Sequence, residues 1–307
     1  MKNNFIILKI KNSIFFFILL LSIFSCKEKK QSESSQIILY KDDLGREIVL
    51  HNKPQRALSL APSLTEILFF VCDSNQIVGV TQNCNFPPAA KNKKKIVNYP
   101  SLDFEGVLQM KPDIIFSVEG LTPLDQAKRL EGMGIPIYYQ KYEKIKDILQ
   151  GIRDVGKIMG QRVRADKLAD SLETERKKLK SEVKNKNNVK TVLAITWSDP
   201  IYVYGKNTIF TDKLQLIGAK NAVDSLFSNP YPQVTREYIL KINPDVIIGG
   251  SFEKMDSTFF KLYPELKRIK AYKTKQVYSV NDDLMSRPSP RVLESVLELK
   301  KAIDGKQ

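Results

Sequence analysis

The segment YPSLDFEGVLQMKPDII, residues 99–115, returns as YPQVTREYILKINPDVI at residues 231–247, an offset of 231 − 99 = 132. Aligned without gaps, seven of the 17 positions are identical: Tyr, Pro, Glu, Leu, Pro, Asp and Ile. Average residue frequencies of a few per cent give about one. A chain that says the same thing twice at this distance is expected to build two similar units. Within the repeat, Asp103 and Thr235 each stand two residues before the repeated Glu and are good N-caps. Glu105 and Glu237 then fall in a first helical turn, where the helix dipole favours a carboxylate. Leu108 and Leu240 are expected to enter the core one turn on. Pro112 and Pro244 stop the short helices, and the Asp-Ile pairs begin a strand. Tyr99 and Tyr231 stand with their prolines on the loop before each cap. Two such units facing a shared cleft bring both tyrosines toward one ligand and place both acids on the same outer face.

The segments around the repeat fit this reading. DDLGR between IILY and EIVL predicts a β-hairpin, and RALSLAP predicts a buried strand. SLTEILFFV follows as a helix with Ser63 as N-cap and Glu66 completing a capping box. QIVGVT, PDIIFSV and IPIYYQ read as strands, with a helix over PLDQAKRLEGMG. From Tyr142 the pattern changes. Ile145, Ile148, Leu149, Ile152, Val155 and Ile158 recur at helical spacing. One long linking helix is expected there, then a second, highly charged helix that opens the next unit. VKTVLAIT restarts the alternation, which runs through TDKLQLIGAKN, PDVIIGG, FFKLYPELKRI and KQVYSV to a terminal helix over SPRVLESVLELKKAI. Strands alternating with helices predict an α/β fold: two pseudo-symmetric lobes with mainly parallel sheets, joined by a long linking helix.

The N-terminus reads as a targeting segment. Lys2, Lys9 and Lys11 form a positive region, and Ile14 to Phe24 is an apolar run broken only by Ser22. About 20 apolar residues are needed to span a bilayer, so this is a signal peptide. It ends in LSIFSC, followed by the polar KEKKQSESSQ. This resembles a bacterial lipoprotein signal, which implies lipidation of Cys26; simple secretion with cleavage nearby is the alternative. The predicted divisions are a signal peptide over 1–25, a tether over 26–36, a first lobe over 37–141, a helical linker over 142–188 and a second lobe over 189–307.

Composition excludes some functions. The net charge of +15 falls to 15 − 3 = +12 beyond residue 25, and the excess is scattered lysine. Nucleic-acid binding needs a basic stripe interleaved with aromatics, and none is present. The single histidine, His51, reads as surface, so a histidine-based metal site is excluded. Cys72 reads as a core residue at a helix end, and a disulfide between Cys72 and Cys84 stays open. No nucleophile–base motif, phosphate loop or dinucleotide fingerprint occurs, so the chain does not read as an enzyme and needs no cofactor.

DDLGREIVL, QRALSLAPSLTEILF, IVGVTQNCNFPPAA, the two repeated segments and RPSPRVLESVLEL resemble, in order and spacing, the substrate-binding proteins of ABC transporters whose lobes are joined by a helical backbone. They are similar in particular to the cobalamin-binding branch. The resemblance covers nearly all of residues 37–305. It implies a periplasmic, lipid-anchored monomer that holds cobalamin or a related corrinoid between its lobes. The haem and iron-siderophore carriers of the same fold are the alternative ligand classes. It implies ligand contacts from Tyr99 and Tyr231, polar contacts from Asp283 and Arg287, and cleft-bordering positions for Asn83, Phe86 and Trp197. Trp197 also reads as core, Arg287 as a surface residue, Asp283 as a turn cap and Phe86 as packing for its loop. It further implies that Glu105 and Glu237 dock on arginines of a permease dimer that works with its ATPase.

Overall fold

Asp42 and Gly45 fold the first element. The Asp42 carboxylate accepts from the backbone N–H of Leu44 and Arg46 at 3.1 and 2.9 Å, and Gly45 takes the left-handed conformation, with φ 79°, that glycine adopts without steric cost. The result is the expected hairpin, β1 (Ile38–Lys41) against β2 (Glu47–Leu50). A computed structural model of the chain describes residues 37–183, 189–223 and 227–305. The predicted signal peptide, Cys26 and the tether lie outside them. From Ile37 onward the chain is one compact unit.

The first lobe follows the hairpin. It comprises β3 (Ala57–Ser59), α1 (Pro62–Val71), β4 (Ile77–Thr81), β5 (Lys95–Ile96), α2 (Phe104–Met110), β6 (Ile114–Val118), α3 (Leu124–Gly132) and β7 (Ile137–Gln140). Two helices come next, α4 (Ile145–Ile158) and α5 (Arg162–Ser181). The second lobe holds β8 (Thr191–Ser198), β9 (Ile201–Val203), α6 (Ile209–Leu216), β10 (Lys220–Asn221), α7 (Arg236–Ile242) and β11 (Val246–Ile248). It continues with α8 (Phe252–Ser257), α9 (Phe259–Leu262), α10 (Lys270–Lys273), β12 (Val277–Tyr278), α11 (Asp282–Ser286) and α12 (Val292–Ile303).

The sheets have the orders β5-β4-β3-β6-β7 and β10-β8-β11-β12, with every pair parallel except β8–β9. The repeat is visible in these orders. α2 leads into β6 beside β3, and α7 leads into β11 beside β8. Both short helices are capped as expected, Asp103 accepting from Gly106 N–H at 2.9 Å and Thr235 from Tyr238 N–H at 3.2 Å. Both end on a left-handed residue, Lys111 (φ 46°) and Asn243 (φ 42°), immediately before the repeated proline.

Three expectations are corrected. Leu108 is 45% exposed, and Leu240 is only partly buried; the residues that enter the core are their neighbours Val107 and Ile239. α1 starts from Ala61 with no side-chain cap, so Ser63 and Glu66 form no capping box; Glu66 is buried instead. The linker also differs. α4 packs on α1, α5 and α6, while α5, the longer helix, touches α1 of the first lobe and α6 and α12 of the second. Its 20 residues rise about 30 Å. Both helices therefore contact both lobes, α5 being the longer, and they lie close together where Gly156 leaves no room for a Cβ against Ala165.

The core has three parts. One cluster runs through both lobes and joins α1, α4, α5, α6 and α12. Two satellites fill the outer faces of the sheets, one behind β3, β6 and β7, the other behind β8 and β11. Cys72 and Cys84 are buried free thiols, and His51 is exposed. Burial raises the Cys72 thiol to about 12. Among the described residues no helix is long and apolar enough to cross a membrane.

Candidate ligand-binding cleft

In parallel α/β sheets ligands bind at the carboxyl ends of the strands. In the first lobe these ends carry the segment after β4, with Asn83 and Phe86, and the segment after β5, with Tyr99. In the second lobe they carry Trp197 at the end of β8 and Asp283 and Arg287 beyond β12. Asn85 and Asp283 are hydrogen-bonded at 2.9 Å, so the two sets of strand ends meet at this point. The segments that carry Asn83, Phe86, Asp283 and Arg287 are thus joined, while Tyr99, Trp197 and Tyr231 stand exposed on loops of the two lobes.

Tyr99 is 85% exposed. Its loop is tied down by Asn98, whose side chain donates to Leu60 O at 3.2 Å, and by Asp103 N–H, which donates to Val97 O at 3.0 Å. Tyr231 is 49% exposed, edge-on to Tyr204 with centroids 5.5 Å apart. Its loop leans on Gly205, where a Cβ would meet the carbonyls of Asn229 and Pro230. Partial burial raises the Tyr231 phenol above its ordinary pKa. Trp197 is 64% exposed, and its indole N–H donates to Asp199 O at 2.8 Å, which fixes the ring on the tip of the β8–β9 hairpin. It is not a core residue.

Arg287 departs from the expectation of a free ligand contact. It is 8% exposed and spends its guanidinium on protein acceptors: Asn85 Oδ1 at 2.7 Å, Asn83 O at 3.3 Å, Asp283 Oδ1 at 2.6 Å and Glu66 Oε1 at 3.2 Å. Asp283 keeps a partly open carboxylate between Arg287 and Asn85. Phe86 carries the guanidinium of Arg291 on one face, 3.9 Å from the ring centroid. Glu66, Asn85 and Arg291 escaped the sequence reading. The available signal was a single acid inside the apolar run LTEILFFV.

The acids of the repeat lie on the surface. Glu237 pairs with Arg236 at 3.2 Å, and its own backbone N–H, then the Thr235 hydroxyl and Arg236, hold its carboxyl below the usual range. Glu105 is exposed and has no ion pair among the described residues. A cavity of about 690 Å3 lies elsewhere, between β2 and residues Pro112, Asp113 and Pro136. None of the candidate ligand contacts lines it. Among the described residues no group of three metal-ligating side chains occurs.

This architecture is that of a binding protein. The chain belongs to the periplasmic binding protein family, whose model matches residues 58–284. It is 28% identical over 291 residues to an uncharacterized ABC transporter substrate-binding lipoprotein, YvrC, of Bacillus subtilis, covering 90% of this chain and 89% of the relative. It is 29% identical to the vitamin B12-binding protein of Pectobacterium carotovorum, covering 78% of this chain and 85% of that one. A solved structure of a possible iron-binding (periplasmic solute-binding) protein from Staphylococcus epidermidis superposes with a TM-score of 0.71 at 29% identity, covering 82% of this chain and 99% of that one.

Proposed function

We propose that this chain is the substrate-binding protein of an ABC importer and that it carries cobalamin or a related corrinoid to a dimeric permease. The observation that supports this most is the pair of register-equivalent exposed tyrosines, one on each lobe, with Trp197 exposed on the tip of the β8–β9 hairpin. A corrin is broad and flat, with amide arms around its rim. Aromatic faces suit its two sides, and a few fixed polar groups such as Asp283 suit the arms. Residues 1–25 export the chain, and a lipid on Cys26 tethers it to a membrane. Replacing Cys26 by Ala should move the protein from the membrane to the soluble fraction; unchanged fractionation contradicts the anchor.

The relative described as a possible iron-binding protein makes haem or a ferric siderophore the second reading. Iron(III) in haem takes a phenolate readily. The raised pKa of Tyr231 works against that ligation, and Arg287 has no free face for an anionic siderophore. Calorimetry of the protein lacking residues 1–26 against cobalamin, cobinamide, haemin and a ferric siderophore separates the classes. Binding of a corrinoid at one equivalent is expected. Binding of haemin or siderophore with no response to either corrinoid overturns the corrinoid assignment and leaves the carrier class intact.

A further inference from the structure

Glu66 lies in α1 of the first lobe and has no exposed surface. A buried carboxylate is strongly disfavoured unless it is paired and hydrogen-bonded. Both of its oxygens are held by groups from the far end of the chain. Arg291 grips it with a fork, Nε to Oε2 at 2.8 Å and Nη2 to Oε1 at 2.6 Å, and Arg287 Nη1 reaches Oε1 at 3.2 Å. Such bidentate, charge-assisted pairs fix geometry as well as charge. Arg287 continues the chain of contacts to Asn85 and to the backbone of Asn83, and Asn85 in turn donates to Asp283. These six hydrogen bonds all join the first lobe to the segment after β12. Two cations, Arg287 and Arg291, face two anions, Glu66 and Asp283, so the cluster is neutral.

We infer that Glu66 is a positioning residue that clamps the two lobes where the β4 and β12 segments meet and so holds Asp283 and the 83–86 segment in the binding geometry. The inference rests on the proposed use of this cleft for ligand. The physical reason lies in shared partners. Lengthening the gap by a few ångströms breaks all six bonds together and leaves a buried carboxylate facing uncompensated guanidinium groups. Partial opening therefore has no stable stopping point on this side. The clamp also sets the ligand contacts, because Asp283 and the 83–86 segment take their positions from it. Loosening it lowers the fraction of molecules in the binding geometry, and apparent affinity falls by that fraction.

The test uses the protein lacking residues 1–26, with spin labels at Lys128→Cys on α3 and Lys261→Cys on α9, both exposed, while Cys72 and Cys84 are buried. Pulsed electron–electron resonance reads the distance between lobes with no ligand present. The parent should give one narrow distribution. Glu66→Gln should broaden it and weaken cobalamin binding tenfold or more. A folded Glu66→Gln protein with the parent's distribution overturns the inference. If Glu66→Gln does not fold, Arg291→Lys, which breaks the fork on Glu66 and keeps a positive charge beside it, takes its place. Broadening supports the clamp and a narrow distribution overturns it. Failure of the parent to bind cobalamin overturns the ligand reading only, because the distance measurement needs no ligand.

Discussion

A lysine shows how far a side chain's chemistry can follow from its surroundings. Lys213, on α6, is buried, and its Nζ donates to the carbonyls of Leu284 and Met285 at the end of α11 at 3.3 and 3.0 Å. Burial lowers its pKa from 10.5 to about 7, while the Glu298 carboxylate opposes that shift. Between these values the unfolded chain binds a proton that the native protein does not. Stability from this group is complete above pH 10.5 and is lost as pH falls toward 7. Chemical denaturation from pH 7 to 10 should show the parent gaining stability relative to Lys213→Met; parallel curves for the two proteins contradict the burial argument. Nothing in the sequence marks Lys213, since it stands among other lysines of a charged chain. Tyr99 and Tyr231 were legible because the repeat singles them out. Glu66 was not legible as a paired carboxylate, because its partners lie 221 and 225 residues away and proximity in the fold is not written locally.

At the scale of elements the repeat was read well, and the short strands were not. The caps on α2 and α7 need only one side chain and three residues of helix, so Asp103 and Thr235 announce them. β5 and β10 are two residues long and hold their places through the sheet, not through any pattern of their own. The roles of α4 and α5 were likewise hidden. α4 has the clear apolar stripe, whereas α5, which bridges the lobes beside it, buries mainly Ala165, Ala169 and Leu179. The equivalence of α2 and α7 carries the docking proposal. We propose that Glu105 and Glu237 dock on the permease: a two-fold dimer presents the same basic feature twice, and one acid per lobe would meet each half. The Glu105→Ala, Glu237→Ala double variant should lower uptake in cells while cobalamin affinity in solution is unchanged. Normal uptake by that variant removes both acids from the docking role.

The molecule as a whole is two α/β lobes on a shared base, and one continuous core joins them through α4, α5 and α12. This arrangement was legible from the alternation of strands and helices and from the break in that alternation after Tyr142. The joint on the cleft side, built by Glu66 and the two arginines, was not. A shared core behind and an ion-paired clamp beside the cleft leave the ligand to be held by side chains on fixed strand ends. The sequence contains a single tryptophan, Trp197, and it stands 64% exposed on the tip of the β8–β9 hairpin. Corrinoids absorb light where indole emits, so a corrinoid bound near Trp197 would quench its emission. Titrating the protein lacking residues 1–26 with cobalamin while following Trp197 fluorescence tests the central claim most directly. Quenching should saturate at one equivalent in the parent. It should weaken about tenfold or more in affinity in Tyr99→Ala and in Tyr231→Ala, a loss of roughly 1.4 kcal/mol or more for each. Cobalamin binding that calorimetry registers while Trp197 stays bright, or parent-like titrations from both tyrosine variants, would place the ligand outside this cleft.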